Sequence, residues 1–319
     1  MASTKLICLG LLIAGVCLAQ NEQQRVFYIP KPARPAGSQA PLKPHVKLAG
    51  LKAKHAGQAD WSELVVKDTN SLGKIISASP GSRYERRLYP DSPAWWAVIE
   101  GQIRFEIEQP GGQFETFEAR KGSYVFVPER MLHSLEVIGS QPAVRFEVTL
   151  YQATPVFEKA PQQADAGMTY LPVRLSTGLN PLDVPDPGGK PWPNHVNVYD
   201  LAEQNKSKKN WSVPAIRQNR ARGNFICGFA NAEPELLPSN RGHFHADFAE
   251  FWIVMAGKLR WIIEGQEPFV AEEGDIVYAP PATFHMPQFY GREGLNCRLT
   301  SSTFPSANHL YDASQQGGE

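Results

Sequence analysis

The sequence predicts an all-β protein built from two similar halves. It contains 27 prolines in 319 residues, about 8% against a usual level of about 5%. Proline is excluded from helix interiors and central strands, so this content favours short strands joined by turns. Two blocks of the first half recur in the same order in the second half. The length and a hydrophobic fraction of 42% suit two globular domains.

The charge balance argues against nucleic acid and anionic membrane surfaces as partners. Lys plus Arg is 32 and Asp plus Glu is 32, which gives a formal net charge of zero. Such partners are recognised through an excess of basic residues. Partners of that kind are therefore disfavoured.

The first 19 residues have the pattern of a secretory signal peptide. Lys5 precedes an apolar run from Leu6 to Ala19, which is shorter than the roughly 20 residues needed to span a bilayer. Small residues before Gln20 fit a cleavage site. We expect export to the periplasm or the medium, with no membrane span after cleavage. An uncleaved anchor and a lipoprotein modified at Cys17 are the alternatives.

The mature chain keeps two cysteines, Cys227 and Cys297. Export permits a disulfide between them, but two buried free thiols on strands fit the sequence equally well. No Cys-x-x-Cys pattern occurs, so a cysteine-type zinc site is not predicted.

Two proline-rich stretches divide the chain. Residues 20–60 contain five prolines within fifteen residues, which predicts an arm that is extended along the surface or disordered. Residues 161–194 contain five prolines within thirteen and form the predicted linker. The predicted domains are the strand-rich segments 61–160 and 195–306, followed by a tail, 307–319.

Strand patterns are clearest around two turns of the first half. Residues 95–108 predict two strands around a Glu100-Gly101 turn, and the second of them alternates apolar and charged residues. Residues 122–128 begin with a turn and continue as a β-rich run that ends at Pro128.

These segments are the ones that repeat. The pairs are 96–101 with 252–257, at an offset of 156, and 122–128 with 274–280, at an offset of 152. Each final proline is followed five residues later by a histidine, His133 or His285. Two blocks in the same order favour an internal duplication over chance, and the change of offset predicts a four-residue loop insertion in the first half.

Four residues of the second half predict a metal site. His243 and His245 lie two apart, so on a strand both imidazoles point to the same face. Glu250 follows after five residues and needs a bend near Ala246 to join them. His285, from a separate strand, completes a set of three imidazoles and one carboxylate, which are typical ligands of a metal ion.

With their neighbours, these residues resemble the two motifs of the cupin superfamily. The first motif is filled by His243, His245, Glu250 and Gly257, and the second by Gly274, Pro280 and His285. Two positions depart from the family pattern: Ala282 stands where a glycine is expected, and Phe289 where an asparagine is common. The resemblance covers about residues 60–160 and 195–305, so the chain resembles a bicupin.

The resemblance implies two jelly-roll barrels in tandem, each of six to eight antiparallel strands. It also implies one divalent transition metal, Fe, Mn, Cu, Ni or Zn, held by His243, His245, Glu250 and His285. The repeat places Arg87, Tyr89 and Ala94 at the equivalent positions of the first half, where only His133 remains. We expect this half to bind no catalytic metal and to stabilise or shape its partner.

The remaining histidines and one arginine carry weaker hypotheses. His133 is expected to be a hydrogen-bonded structural residue. Arg241, two residues before His243, is either a contact for an anionic substrate or a solvated surface residue. The other histidines are expected at the surface: His45, His55, His195 and His309.

The resemblance implies a metal-dependent enzyme with a small-molecule substrate as its partner, and the first hypothesis is a dioxygenase or oxidase. The ligand spacing is similar to that of quercetinase-type bicupin dioxygenases and germin-like oxidases, with Glu250 doubling as ligand and proton acceptor. One alternative is a decarboxylase or isomerase of a small acid or sugar. Another is a non-enzymatic, secreted ligand-binding module. Cupin barrels often pack through their sheets, so a homo-oligomer is compatible with the resemblance.

Overall fold

The computed structural model describes residues 42–109, 112–161, 170–172, 194–218, 221–229, 241–291, 294–302 and 308–310. The predicted signal peptide, the arm before residue 42 and most of the predicted linker lie outside these residues. No helix in the described ranges is long and apolar enough to cross a membrane.

Short antiparallel strands dominate both halves. In the first half the elements are β1 His45–Val46, α1 Leu48–Lys54, β2 Trp61–Lys67, β3 Ser71–Ala78, β4 Arg83–Leu88, β5 Ala94–Glu100, β6 Gln102–Glu108, β7 Phe114–Arg120, β8 Ser123–Val127, β9 His133–Ile138, β10 Ala143–Leu150 and β11 Val156–Phe157. In the second half they are β12 His195–Asn197, α2 Val198–Gln204, β13 Asn210–Gln218, β14 Ala221–Phe229, β15 His243–Phe244, β16 Glu250–Ala256, β17 Lys258–Ile263, β18 Phe269–Glu272, β19 Ile276–Ala279, β20 His285–Tyr290, β21 Leu295–Ser302 and β22 His309–Leu310.

The strands form two barrels, each made of a six-stranded inner sheet and a five-stranded outer sheet. The first barrel has the orders β12-β8-β5-β10-β3-β2 and β11-β4-β9-β6-β7. The second has β1-β19-β16-β21-β14-β13 and β18-β17-β20-β15-β22. This arrangement confirms the predicted all-β class with two barrels in tandem.

The two inner sheets pack against each other and share a central core. On β5, Trp95 and Ile99 belong to this core, whereas Trp96 and Val98 point into the first barrel. Both faces of the strand are therefore buried, which explains its uninterrupted apolar sequence. The Trp95 ring stacks on Phe251 of the second half, with ring centroids 6.4 Å apart. The barrels are thus joined through apolar packing as well as through the chain.

The two halves also exchange their first strands. Strand β1 pairs with β19 of the second barrel, and β12 pairs with β8 of the first. Each exchanged strand is followed by a seven-residue helix, α1 or α2. This unit is a third repeated block, at an offset of 150, which aligns His45-Val46 with His195-Val196 and Trp61 with Trp211. It is not among the repeats predicted from sequence.

The exchange corrects three boundaries predicted from sequence. The expectation of an arm without regular structure over 20–60 is wrong for its described part, because β1 and α1 lie there. The prolines stop at Pro44, and the segment after it is rich in good helix formers. The predicted second domain begins at residue 195, yet β12 belongs to a sheet of the first barrel. The predicted tail contains β22, which pairs with β15.

The cysteine alternatives are also decided by the fold. Cys227 on β14 lies directly opposite Cys297 on β21, with Cα atoms 4.1 Å apart, and the structure joins them as a disulfide. Both side chains are fully buried in the central core.

Candidate metal centre

Three strand ends of the second barrel converge on one point. His243 on β15 pairs directly with His285, the first residue of β20. Glu250 begins β16, opposite Ala279 of β19. The chain bends at residues 246–247, as the spacing predicted, and the bend turns the Glu250 side chain toward the histidines. The structure therefore brings together all four residues singled out by sequence.

The ligand atoms lie within 4.8 Å of one another. The Nε2 atoms of His245 and His285 lie 2.9 Å and 3.0 Å from Oε2 of Glu250. The Nε2 of His243 lies 3.2 Å from that of His285 and 3.7 Å from the Glu250 oxygen. His245 and His285 are buried, whereas His243 is partly open to the cavity. One metal-ligand group of this kind occurs among the residues described.

The chemistry of this set fits a metal cation. The Nδ1 of His285 donates to the Thr283 carbonyl oxygen at 2.9 Å, so in the neutral ring the Nε2 atom carries a lone pair. A lone-pair nitrogen and a carboxylate oxygen are both acceptors, and they are stable at contact distance only with positive charge between them, from a metal or a proton. The four residues form a binding group suited to a divalent transition metal.

The pKa values favour the metal-binding protonation states. Burial disfavours the charged form of Glu250, but the close contacts of His243, His245 and His285 with its carboxylate outweigh burial and hold the pKa of this carboxyl well below its ordinary value. Burial lowers the pKa of His285 despite the nearby carboxylate. A carboxylate and a neutral imidazole are the forms that ligate metals.

The centre opens into a cavity of about 410 Å³. Besides the ligands, its wall includes Trp252, Asn224, Thr300 and Arg298. Arg298 lies on β21, where Cys297 and Leu299 face the central core, so alternation directs Arg298 into the barrel. Burial lowers the pKa of Arg298 to about 10, with the Glu250 charge opposing the shift, and the guanidinium stays protonated at neutral pH.

Arg298 was not among the residues predicted from sequence, where Arg241 was considered instead. Arg241 is exposed to solvent, two residues before the first ligand. The internal repeat is the sequence signal that could have indicated Arg298. Arg145 lies 153 residues before it, at the corresponding place of the first half. Both arginines lie opposite equivalent valines of the inner sheets, Val98 and Val254.

The first barrel has other side chains at the equivalent point. Arg87 pairs with His133 just as His243 pairs with His285. The Arg87 guanidinium lies 3.7 Å from the centroid of the Tyr84 ring, and Tyr84 donates its hydroxyl to Glu147 at 2.9 Å. Burial, with the Glu147 charge, raises the pKa of Tyr84 to about 12. An ionic and aromatic cluster thus fills this position, and the absence of a catalytic metal there stays a prediction.

His133 fits its predicted structural role. It is buried, and its Nδ1 donates to the Met131 carbonyl oxygen at 3.1 Å, as His285 does to Thr283. Burial lowers the pKa of His133 to about 4, so the ring is neutral at physiological pH.

The expectation that four other histidines lie at the surface is wrong. His45 contacts the Asp275 carboxylate at 2.7 Å, and His55 contacts Glu63 at 2.6 Å. His195 and His309 are also partly buried and hydrogen-bonded, to the Ser123 hydroxyl and the Phe244 carbonyl. The repeated unit and the paired tail strand bury residues that sequence composition had placed in linkers.

Comparisons with known proteins identify the same part of the chain. A family model described as "Cupin domain" matches residues 235–300. Oxalate decarboxylase OxdC of Bacillus subtilis (strain 168) is 30% identical over 74 residues, which are 23% of this chain and 19% of that protein. The matched stretch therefore spans about a fifth of the relative.

Solved structures extend the similarity to both barrels. A deletion mutant and a single-substitution mutant of Bacillus subtilis oxalate decarboxylase OxdC each superpose with a TM-score of 0.50. In both cases the match covers 79% of this chain and 75% of the other, at 16% identity. At this identity the likeness shows the fold, which is that of a two-barrel protein.

Proposed function

We propose that this chain, which has a cupin-domain match over residues 235–300 and two barrels with one metal-ligand set in the C-terminal barrel, is a metal-dependent decarboxylase of a small carboxylic acid. The observation that carries the proposal is the convergence of three imidazoles and one carboxylate in a cavity whose wall also holds an arginine. A relative named as an oxalate decarboxylase supports the same chemistry.

The choice of reaction differs from the first hypothesis drawn from sequence. The dioxygenase hypothesis depends on the same four ligands, so the site alone does not favour it over decarboxylation. The named relatives favour decarboxylation, which was the alternative. The guanidinium of Arg298 adds support, because a cation in the cavity is complementary to an acid rather than to a neutral aromatic substrate.

Each residue has a defined task in this proposal. His243, His245, His285 and Glu250 would hold the metal, which as a Lewis acid would bind and polarise a carboxylate at its open positions. Breaking the C–C bond would release CO₂ and leave an electron pair on the retained carbon, which would take up a proton from water. The Glu250 carboxylate lies within 2.9–3.7 Å of the Nε2 atoms of all three histidines, so we assign it as a ligand rather than as a proton acceptor.

The cavity suits a small substrate. Its volume of about 410 Å³ lies at the lower end of ordinary ligand pockets. Trp252, Ile226 and Pro287 supply apolar wall, which limits the water that reaches the reacting carbon and strengthens electrostatic contacts inside.

The test combines metal analysis with product analysis. Wild-type protein purified without chelator is analysed by mass spectrometry for metal, and then incubated with a panel of small mono- and dicarboxylic acids, starting with oxalate. Released CO₂ and consumed O₂ are both measured. His243→Ala removes one ligand, and His133→Ala removes the equivalent histidine of the first barrel as a matched control.

We expect about one metal ion per chain in the wild type and in His133→Ala, and a large loss in His243→Ala. CO₂ release should follow metal content, without net O₂ consumption. Stoichiometric O₂ uptake would return the dioxygenase hypothesis to first place. Metal-loaded protein that releases CO₂ from none of the acids would contradict the proposal.

A further inference from the structure

We propose that His309 is a positioning residue of the metal centre. It holds the peptide between His243 and His245, so that both imidazoles face one metal ion, and it lies outside the ligand group itself. The inference rests on the metal-binding part of the proposed function and not on the reaction. It gives a role to β22, the strand at the end of the described chain.

The strand that carries His243 is short and depends on its neighbours. Strand β15 consists of His243 and Phe244. On one side it pairs with His285 of β20 at a single position, and on the other side both of its residues pair with β22. Glu250 and His285 belong to longer strands, of seven and six residues. His243 is therefore the strand-borne ligand whose backbone is held most by β22.

His309 contacts Phe244 through both backbone and ring. Its Nδ1 donates to the Phe244 carbonyl oxygen at 3.2 Å, and its ring stacks on the phenyl ring with centroids 4.9 Å apart and planes 26° apart. That carbonyl belongs to the peptide group that joins Phe244 to His245. Phe244 is buried, whereas His243 and His245 line the cavity. His309 thus supports the two ligands from behind.

The support extends to the third imidazole. The Phe244 ring packs edge-on against Phe284, with centroids 5.0 Å apart, and Phe284 directly precedes His285. His309, Phe244 and Phe284 therefore form an aromatic backing behind the ligand histidines. Side chains that pack against ligands or hydrogen-bond next to them fix ligand orientation and raise metal affinity.

The internal repeat provides a comparison without the ligand set. Strand β11 of the first barrel pairs with β4 in the same register as β22 with β15. Val156 there lies opposite Leu88, and Leu132 precedes the equivalent histidine. All three side chains are aliphatic, and none can donate a hydrogen bond. The donor and the aromatic backing thus occur in the half that carries the ligands, and the strand accepts valine in place of His309.

The experiment measures metal binding with Co²⁺ as the probe. Metal-free protein is titrated with Co²⁺ and its visible absorption is followed, because the bands of this ion report the number and arrangement of its ligands. Competition with a chelator gives Kd. Urea denaturation of the metal-free protein gives the stability of each variant, so that an effect on folding is measured separately from an effect on the metal centre.

Three variants separate the contacts of His309. His309→Val introduces the residue of the first half and removes both the donor and the ring. His309→Phe keeps a ring for the stack and removes the donor, and it is the second variant should the valine variant fold poorly. Leu310→Ala is the matched control, because Leu310 is the exposed neighbour on the same strand and alanine leaves the backbone pairing intact.

We expect His309→Val to bind Co²⁺ about ten- to a hundredfold more weakly than the wild type, as is usual when a group that orients a ligand is removed. Its visible spectrum should change, because the two histidines lose their fixed orientation. His309→Phe should fall between the two. Leu310→Ala should keep the wild-type spectrum and a Kd within about twofold, as for an ordinary surface substitution.

Two results would overturn the inference. If His309→Val lowers only the stability of the metal-free protein, and the wild-type Kd and spectrum persist, His309 has a purely structural role and the proposed function is untouched. If the wild type binds no Co²⁺, both the inference and the metal-binding part of the proposed function fail. The CO₂ assay on the same preparation decides the reaction separately.

Discussion

Two residues with side chains adopt left-handed backbone at equivalent points of the two barrels. Arg130 has φ +68° and Ala282 has φ +57°, each two residues after the proline that ends a strand. Ala282 takes the place of the glycine in the family motif. Its N–H donates to the carbonyl oxygen of the ligand His245 at 2.6 Å, so this turn helps to hold the metal centre. A non-glycine residue in this conformation costs roughly 1 kcal/mol.

Ala282→Gly should therefore stabilise the protein. Relief of the left-handed strain exceeds the entropy that glycine adds to the unfolded chain, so the free energy of unfolding should rise by up to about 0.5 kcal/mol. Urea denaturation measures it. Ala282→Val, with a β-branched side chain, should be destabilising. Arg130→Gly is the matched variant, with a smaller gain because Arg130 also donates to the Pro90 carbonyl. A lower stability of Ala282→Gly would show that the turn is not strained.

At the residue scale, sequence predicted what is local and missed what depends on strand register. The ligands His243, His245 and Glu250 lie within eight residues of one another, and their spacing alone identifies them. The place of Arg298 in the cavity depends on the pairing of β21 with β14 and β16. That pairing joins segments that are far apart in the chain, and no short motif encodes it.

At the scale of elements, each exchanged strand and helix is anchored by one residue of the other half. Asp275 contacts the His45 ring at 2.7 Å and accepts from the Leu48 N–H at 2.9 Å. Helix α1 has no side-chain cap of its own, so Asp275 caps it from a distant part of the sequence. In the first barrel the equivalent residue is Ser123, which contacts His195 and Asn197.

Asp275→Ala should cost about 2–4 kcal/mol of stability, because it removes several hydrogen bonds to a buried carboxylate and leaves donors unsatisfied. Ser123→Ala, which removes a neutral hydroxyl at the equivalent point, should cost about 1 kcal/mol. Urea denaturation of both variants measures the difference. Equal small losses would mean that α1 is held by apolar packing of Leu48 rather than by its cap.

The same elements explain why the prediction of an irregular arm failed for the described end of residues 20–60. All the prolines of residues 20–60 lie at or before Pro44, and an average over the segment hides the helix that follows. The strand β1 becomes regular only by pairing with β19, more than two hundred residues away. A two-residue strand carries no periodicity of its own, so only the third repeated block predicts it.

At the scale of the whole molecule, the two halves share an architecture but differ in the side chains at the equivalent point. The second barrel keeps the metal ligands, whereas the first places Arg87, Tyr84 and Glu147 at the corresponding position. The shared core and the exchanged strands bind the barrels into one unit. Binding at one site should therefore stabilise both barrels.

The chain should unfold in a single cooperative transition, and metal should move that transition as a whole. Ligand that binds only the native state at a hundred times its Kd adds about 2.7 kcal/mol, which for a chain of this size corresponds to roughly 5 °C in Tm. Scanning calorimetry with and without metal measures the shift, and equal calorimetric and van't Hoff enthalpies test cooperativity. His243→Ala should lose the shift, and His133→Ala should keep it. Two transitions, of which metal moves only one, would mean that the barrels unfold independently despite their shared core.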